Sequence, residues 1–213
     1  MVVAVIGNGN ISDYAYIKKY MENNGVDMVI ACDGGLKHCD CMGIKPDCLL
    51  GDFDSVDEKL LEKYKGMGIN ALQFPAKKDK TDIEIGLEVA FEQKPERVII
   101  FGGMGSRMDH SLTNVHLLML GLDNNIKLSL VDEHNEIYAV KDSFVVENKI
   151  NHILSLIPLT VKVEGVTTAG LEYPLEDYTM EIGSSLGVSN VVVKEKAGVK
   201  IKKGILLVML TRD

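Results

Sequence analysis

Apolar residues follow two different rhythms along this chain, and the change between them marks its organisation. Up to about residue 132, short apolar runs of strand length alternate with amphipathic stretches of helical period. The strand candidates are Val2–Ile6, Met28–Ala31, Cys48–Leu50, Asn70–Phe74, Val98–Phe101 and Leu128–Val131; Asp13–Asn24 and Asp57–Lys65 are typical of the helical stretches between them. This alternation predicts a doubly wound, mostly parallel α/β sheet. Ile83, Leu87, Ala90 and Phe91 add a helix at i, i+4, i+7 and i+8, with Thr81 and Glu84 placed as a capping box. After about residue 135, "EIYAVKDSFVVE" and "HILSLIPLTVKVEGVTT" alternate β-branched residues with turn glycines and lose the helical period, which predicts a small all-β sandwich. The expected domains are therefore residues 1–135 and 136–213.

A chain of 213 residues with 46% hydrophobic and 25% charged residues can bury a sizeable core in two such domains. A net charge of −8 argues against nucleic-acid or membrane-surface partners. No run approaches the ~20 apolar residues of a membrane span, and "MVVAVIGNGN" lacks the basic head and cleavage site of a signal peptide, so a cytoplasmic protein is expected. Cys32, Cys39, Cys41 and Cys48 crowd around His38 without a C-x2-C pair, so ordinary reduced thiols are expected rather than a zinc site.

The residues with chemistry gather just after the predicted strands, where open α/β sheets bind ligands. "VIACDGGLK" places Asp33 at a strand end before Gly34 and Gly35, which let a ligand or another loop approach the backbone. "LLGDFDS" places Asp52 and Asp54 two residues apart, a repelling pair that invites a divalent cation. "KDKTD" supplies Lys78, Lys80, Thr81 and Asp82; by itself, Asp82 is equally a first-turn acid complementing the helix dipole, worth ~0.3–1 kcal/mol. "GGMGSRMDH" combines a glycine turn with Arg107, Asp109 and His110 at the mouth of a helix expected to run to Gly121, an anion cradle that is not a P-loop. Together, the acids suit Mg²⁺ while Lys78, Lys80 and Arg107 suit a polyphosphate. Nucleotide-dependent phosphoryl chemistry follows, with the attacked phosphorus left open.

The ordered series "DGG", "GDFDS", "KDKTD" and "GGMGSRMDH" with Asn114 downstream, then "TTAGLEYPL" and "GSSLGVSN", resembles the thiamine pyrophosphokinase family over nearly the whole chain. The resemblance implies transfer of an intact pyrophosphoryl group from Mg–ATP to the hydroxyethyl oxygen of thiamine, yielding thiamine diphosphate and AMP. It also implies a homodimer whose active sites lie between the α/β domain of one subunit and the β domain of the other. Carried over by residue, Asp52, Asp54 and Asp82 become the Mg²⁺ ligands and, with Arg107 and Asp109, the catalytic set. Asp33, Gly34, Lys78, Lys80, Thr81, Arg107, His110 and Asn114 become the nucleotide-binding set, and Ser189 and Asn190 the polar turn around the thiamine ring. The chain has no Trp, so the residue that takes the place of the aromatic ring some members stack on the pyrimidine stays open, and an apolar wall could replace it. Two rivals have specific costs. A haloacid-dehalogenase-like phosphatase reading of "DFDSV" leaves Asp33, the arginine turn and the β domain unexplained, and a non-catalytic thiamine or nucleotide sensor would be expected to lack the acids that are present.

Overall fold

The computed structural model describes every residue except Ala76, Lys78 and Asp213 and divides into two compact units, Met1–Glu133 and His134–Asp213. In the first unit the chain runs β1 (Val2–Ile6), α1 (Tyr14–Asn23), β2 (Met28–Cys32), α2 (Gly35–Met42), β3 (Cys48–Gly51) and α3 (Glu58–Gly66). It continues with β4 (Asn70–Gln73), α4 (Asp82–Glu92), β5 (Arg97–Phe101), α5 (Met108–His116), α6 (Leu118–Asp123) and β6 (Lys127–Val131). Side-chain caps start three of the helices: Asp13 accepts from the Tyr16 amide at 2.8 Å, Asp57 from Leu60 at 3.0 Å and Thr81 from Glu84 at 3.2 Å.

Six parallel strands lie in the order β6-β5-β1-β2-β3-β4. Side chains alternate across them, so Ala4 and Ile6 join Ile17 of α1, Leu36 of α2 and Leu49 in one buried cluster, while Val5 points to the opposite face. There α4 packs against β1 and β2, and Gly86 permits the close approach: a Cβ on it would lie 2.6 Å from Cys32 Sγ and 3.1 Å from Val5 Cγ1. Helices therefore cover both faces, as the alternating pattern predicts.

Strand order matters more for function than strand count. From β1 the chain winds outward through β2, β3 and β4, and α4 then returns it to β5 on the other side of β1. The crossovers leaving β1 and β5 consequently lead in opposite directions along the sheet, toward β2 and toward β6, and the carboxyl ends of these two strands mark the switch point at which open α/β sheets bind ligands. One helix differs from expectation. The stretch expected to run unbroken to Gly121 ends at His116 and restarts at Leu118, with the Leu120 amide bonded three residues back to the Leu117 carbonyl at 3.0 Å.

The second unit consists of β7 (Asn135–Val140), β8 (Ser143–Glu147), β9 (Ile153–Pro158), β10 (Lys162–Ala169), β11 (Tyr178–Glu181), β12 (Asn190–Val191), β13 (Lys196–Lys200) and β14 (Leu206–Thr211). Its strands form two antiparallel layers, β12-β9-β14-β7 and β11-β10-β13-β8. Leu154, Leu156 and Val208 from one layer and Val163, Met180 and Val199 from the other belong to a single buried cluster, so the layers enclose one core.

Candidate functional site

At the switch point the loops after β1 and β5 are stitched together by their backbones. Gly7 N–H donates to Phe101 O at 2.8 Å, Gly9 N–H to Gly102 O at 2.7 Å and Asn10 N–H to Met104 O at 2.6 Å. Only glycine fits at position 9, because a Cβ there would stand 2.3 Å from Met104 O and 2.5 Å from Gly102 O. The His38 ring braces the same loop from below: Nε2 lies 2.8 Å from Gly9 O, so it carries the proton, and Nδ1 accepts from Tyr14 Oη at 3.0 Å. Burial holds the His38 pKa below its ordinary value, which keeps the ring neutral at pH 7. All four cysteines are free thiols.

These loops border a cavity of about 440 Å³, a volume within the range of small-molecule sites. Asp33, Thr81, Asp82, Arg107, His110 and Asn114 all line it. Three separate strand ends, those of β2, β4 and β5, thus deliver the expected residues to one place. Sequence reasoning missed Asn8, Gly9 and Ser55, which also line the cavity. The signal for the first two was the "GNGN" turn, which is weak as a motif and acquires its meaning only from the strand order.

Each lining residue is fixed by a local cause. Asp33 follows β2 in the left-handed region, φ +49°, which aspartate tolerates better than most residues. Its amide donates to Leu50 O at 2.7 Å, and its Oδ2 accepts from the Ser55 hydroxyl. Asp82 occupies the first turn of α4, beyond the Thr81 cap. Cys32 beside it is inert: burial, the Asp82 carboxylate, the neighbouring thiols and Asp33 push its pKa well above the ordinary thiol value. Asn114 is buried and donates to Gly103 O at 2.6 Å, so it braces the glycine turn. Arg107 stands at the N-terminus of α5 and forms a two-pronged pair with Asp109, at 3.2 Å (Nε–Oδ1) and 2.7 Å (Nη2–Oδ2). That pairing, with the His110 amide, holds the Asp109 carboxyl below its usual range, and both side chains are exposed. An exposed pair of this kind opens cheaply.

Several expected residues lie outside the cavity lining. Asp52 turns back to accept the Asp54 amide at 3.0 Å, the adjoining Phe53 is buried at φ +68°, and Asp54 is exposed next to the cavity-lining Ser55. Lys80 pairs with Glu88 on the exposed side of α4. Gly34 makes room for a chain neighbour rather than a ligand, since a Cβ on it would overlap the Asn8 side chain at 2.3 Å. Lys78 lies outside the described residues.

Do these groups suit a metal? Among the described residues no three His, Cys, Asp or Glu side chains converge on one point as a ready cage. Asp33 Oδ1, however, is a buried oxygen with no hydrogen-bond partner among the described residues, and Asp33 and Asp82 line the same cavity. A hard cation held by one or two carboxylates and completed by phosphate oxygens fits that donor set.

In the second unit, Ser189 is exposed at φ +61° and its amide donates to Ser155 Oγ at 3.0 Å. Asn190, which the resemblance places in the polar turn around the thiamine ring, does not present an exposed amide. It is buried, its Oδ1 accepts from the Tyr173 amide at 3.0 Å and the Val191 amide at 2.9 Å, and its Nδ2 donates to Tyr173 O at 2.7 Å. The residue clamps the 171–175 turn onto β12.

The comparisons with known proteins agree with one another across the chain. A family model described as thiamin pyrophosphokinase, catalytic domain, matches residues 18–130, and one described as thiamin pyrophosphokinase, vitamin B1 binding domain, matches residues 144–206. The thiamine pyrophosphokinase of Bacillus subtilis (strain 168) is 32% identical over 173 residues, covering 80% of this chain and 81% of that protein. A crystal structure of thiamine pyrophosphokinase from Bacillus subtilis superposes with a TM-score of 0.89 at 27% identity over 100% of both chains. The thiamin pyrophosphokinase structure from Geobacillus thermodenitrificans gives 0.86 at 27% identity, over 100% of this chain and 98% of that one. With both domain models matched in order and the fold shared throughout, the chain belongs to the thiamin pyrophosphokinase family.

Proposed function

We propose that the switch-point cavity of the first unit holds Mg–ATP, and that the hydroxyethyl oxygen of thiamine attacks the β-phosphorus there. Pyrophosphate transfer to thiamine is the activity of the family to which the chain belongs, so the protein is a thiamine diphosphokinase; neither the phosphatase nor the sensor is favoured. The observation that carries the placement is the cavity itself. It combines an arginine at a helix N-terminus, where anions are stabilised, with Asp33 and Asp82, which need a cation between them and a polyphosphate.

Mg²⁺ would be held through Asp82, with Asp52 and Asp54 on the adjoining loop and Asp33 beside it, and when bound it neutralises charge on the phosphate oxygens. The chain's own groups do the rest. Arg107 leaves Asp109 to meet the phosphates, Thr81 and His110 line their path, and Asn114 keeps the glycine turn in shape. With little covalent work to perform, the protein contributes alignment and charge. Lys78 and Lys80, close to Asp82 in sequence, supply further positive charge for the polyphosphate.

The second unit takes the thiamine ring at the turn around Ser189, with Asn190 shaping that turn. Exposed apolar side chains nearby, Tyr173, Ile182, Leu186 and Val188, favour a covered surface, in keeping with a homodimer whose active sites are shared between subunits. The free cysteines suit a reducing compartment and so the cytoplasm. No helix among the described residues is long and apolar enough to cross a membrane. Incubation with thiamine and Mg–ATP tests the reading: thiamine diphosphate and AMP should appear in equal amounts, whereas ADP with thiamine monophosphate would overturn it.

A further inference from the structure

Asp33 carries an oddity that the family's reaction does not by itself explain. One of its oxygens is held by the protein and the other, buried, has no hydrogen-bond partner among the described residues. Leaving a buried acceptor unpaired is costly, and more so when it is charged, so a fold that keeps one beside a cavity has prepared it for something. The arrangement is also over-determined. Asp33 sits at φ +49°, and the end of β3 presses directly beneath it: a Cβ on Gly51 would stand 3.0 Å from Asp33 Cβ and 3.1 Å from its Cα. Beyond Gly51 the chain turns through Asp52, which accepts the Asp54 amide, and the buried Phe53 pins that turn. The next residue is Ser55, whose hydroxyl reaches back across 22 positions to Asp33 Oδ2.

Resting on the reading above, we propose that Ser55 is a positioning residue: its hydroxyl occupies Asp33 Oδ2 and so commits Oδ1 to the divalent cation that accompanies the nucleotide. The Asp52–Phe53–Asp54 turn then serves the site by delivering Ser55 as well as by its acids. Outer hydrogen bonds of this kind orient a ligand carboxylate, and their removal typically costs 10–100-fold in metal affinity.

The probe is Mn²⁺, titrated into the full-length protein with a non-hydrolysable ATP analogue, with free Mn²⁺ read by electron paramagnetic resonance. Ser55→Ala should bind Mn²⁺ roughly 10–100-fold more weakly than wild type, Ser55→Thr should stay within about threefold because it keeps the hydroxyl, and the thiamine KM should be unchanged in both. In an Asp33→Asn background, Ser55→Ala should cause no further loss, since its only route to the cation has gone. Wild-type Mn²⁺ affinity in Ser55→Ala, or losses that add fully in the double variant, would overturn the proposal. A Ser55→Ala protein that melts early is judged by Ser55→Thr and the double variant. Product formation separates the two readings. If wild type makes thiamine diphosphate and Ser55→Ala still binds Mn²⁺ normally, only the role of Ser55 falls; if wild type makes none, the functional reading falls and the Mn²⁺ comparison still stands.

Discussion

Replacing Asn190 with alanine asks whether a side chain matched to a substrate-binding motif acts through the substrate or through the fold. In the structure, Asn190→Ala deletes three hydrogen bonds at once, from the Tyr173 amide, to the Tyr173 carbonyl and from the Val191 amide, all between 2.7 and 3.0 Å. A hydrogen bond contributes about 0.5–1.5 kcal/mol net, and a buried partner left unsatisfied costs about 1–3 kcal/mol. Water will reach some of the freed groups at the exposed Tyr173 side, so the total expected is about 2–3 kcal/mol. For a unit of under 100 residues that is a fall in Tm on the order of 10 °C. Thermal unfolding followed by circular dichroism, alongside steady-state kinetics, separates the outcomes. The structure predicts a large stability loss, with a thiamine KM that rises because the turn loosens and an ATP KM that barely moves. An unchanged Tm with a raised thiamine KM would refute the reasoning and make Asn190 a direct ligand of the ring.

Three further expectations follow from the first unit. Gly9→Ala forces a Cβ onto two backbone carbonyls, so it should cost about 1–3 kcal/mol and raise the ATP KM; an ATP KM unchanged in a folded variant would mean that the stitched loops do not shape the nucleotide site. Glu133 Oε1 accepts from Ser12 N at 2.5 Å, Ser12 Oγ at 3.1 Å and Asp13 N at 2.7 Å; burial opposes ionisation, but the amides of Asp13 and Ser12 outweigh it and lower the pKa. A depressed carboxyl pKa stabilises the fold above the unfolded value and loses that contribution as pH falls through the folded one, so Glu133→Gln should be less stable than wild type at pH 7 and the gap should close below pH ~4. A gap that widens on acidification would reverse the sign and refute it. Asn substitution at Asp82 should lower turnover by orders of magnitude with the melting curve intact, and near-normal turnover at saturating Mg²⁺ would remove Asp82 from the metal site.

Sequence reading succeeded where the signal is local. Strand runs such as Val2–Ile6 coincide with the observed β1, and Asp13, Asp57 and Thr81 start helices because a side-chain oxygen three residues before an amide is visible in sequence alone. What escaped depends on distant partners. Nothing near Gly7 or Gly9 says that their carbonyls and amides will face residues 101–104, because that follows from the strand order. The exposure of Asn190 could not be judged without Tyr173 beside it. Arg107 pairing with Asp109 was within reach, since two residues at a helix start are neighbours, but the sequence pointed both at phosphate instead. Helix α2 hid among cysteines and a histidine, and its end at Gly43, φ +64°, was its one clear local mark.

The claim at the centre of the account is that an intact pyrophosphoryl group moves from ATP to thiamine. ATP radiolabelled at its γ-phosphorus measures this most directly, because the label travels only with the terminal phosphate. With thiamine and Mg²⁺ present, the label should appear in the terminal phosphate of thiamine diphosphate, with unlabelled AMP in equal amount. Label found in thiamine monophosphate, or released as inorganic phosphate without a labelled thiamine product, would contradict the account.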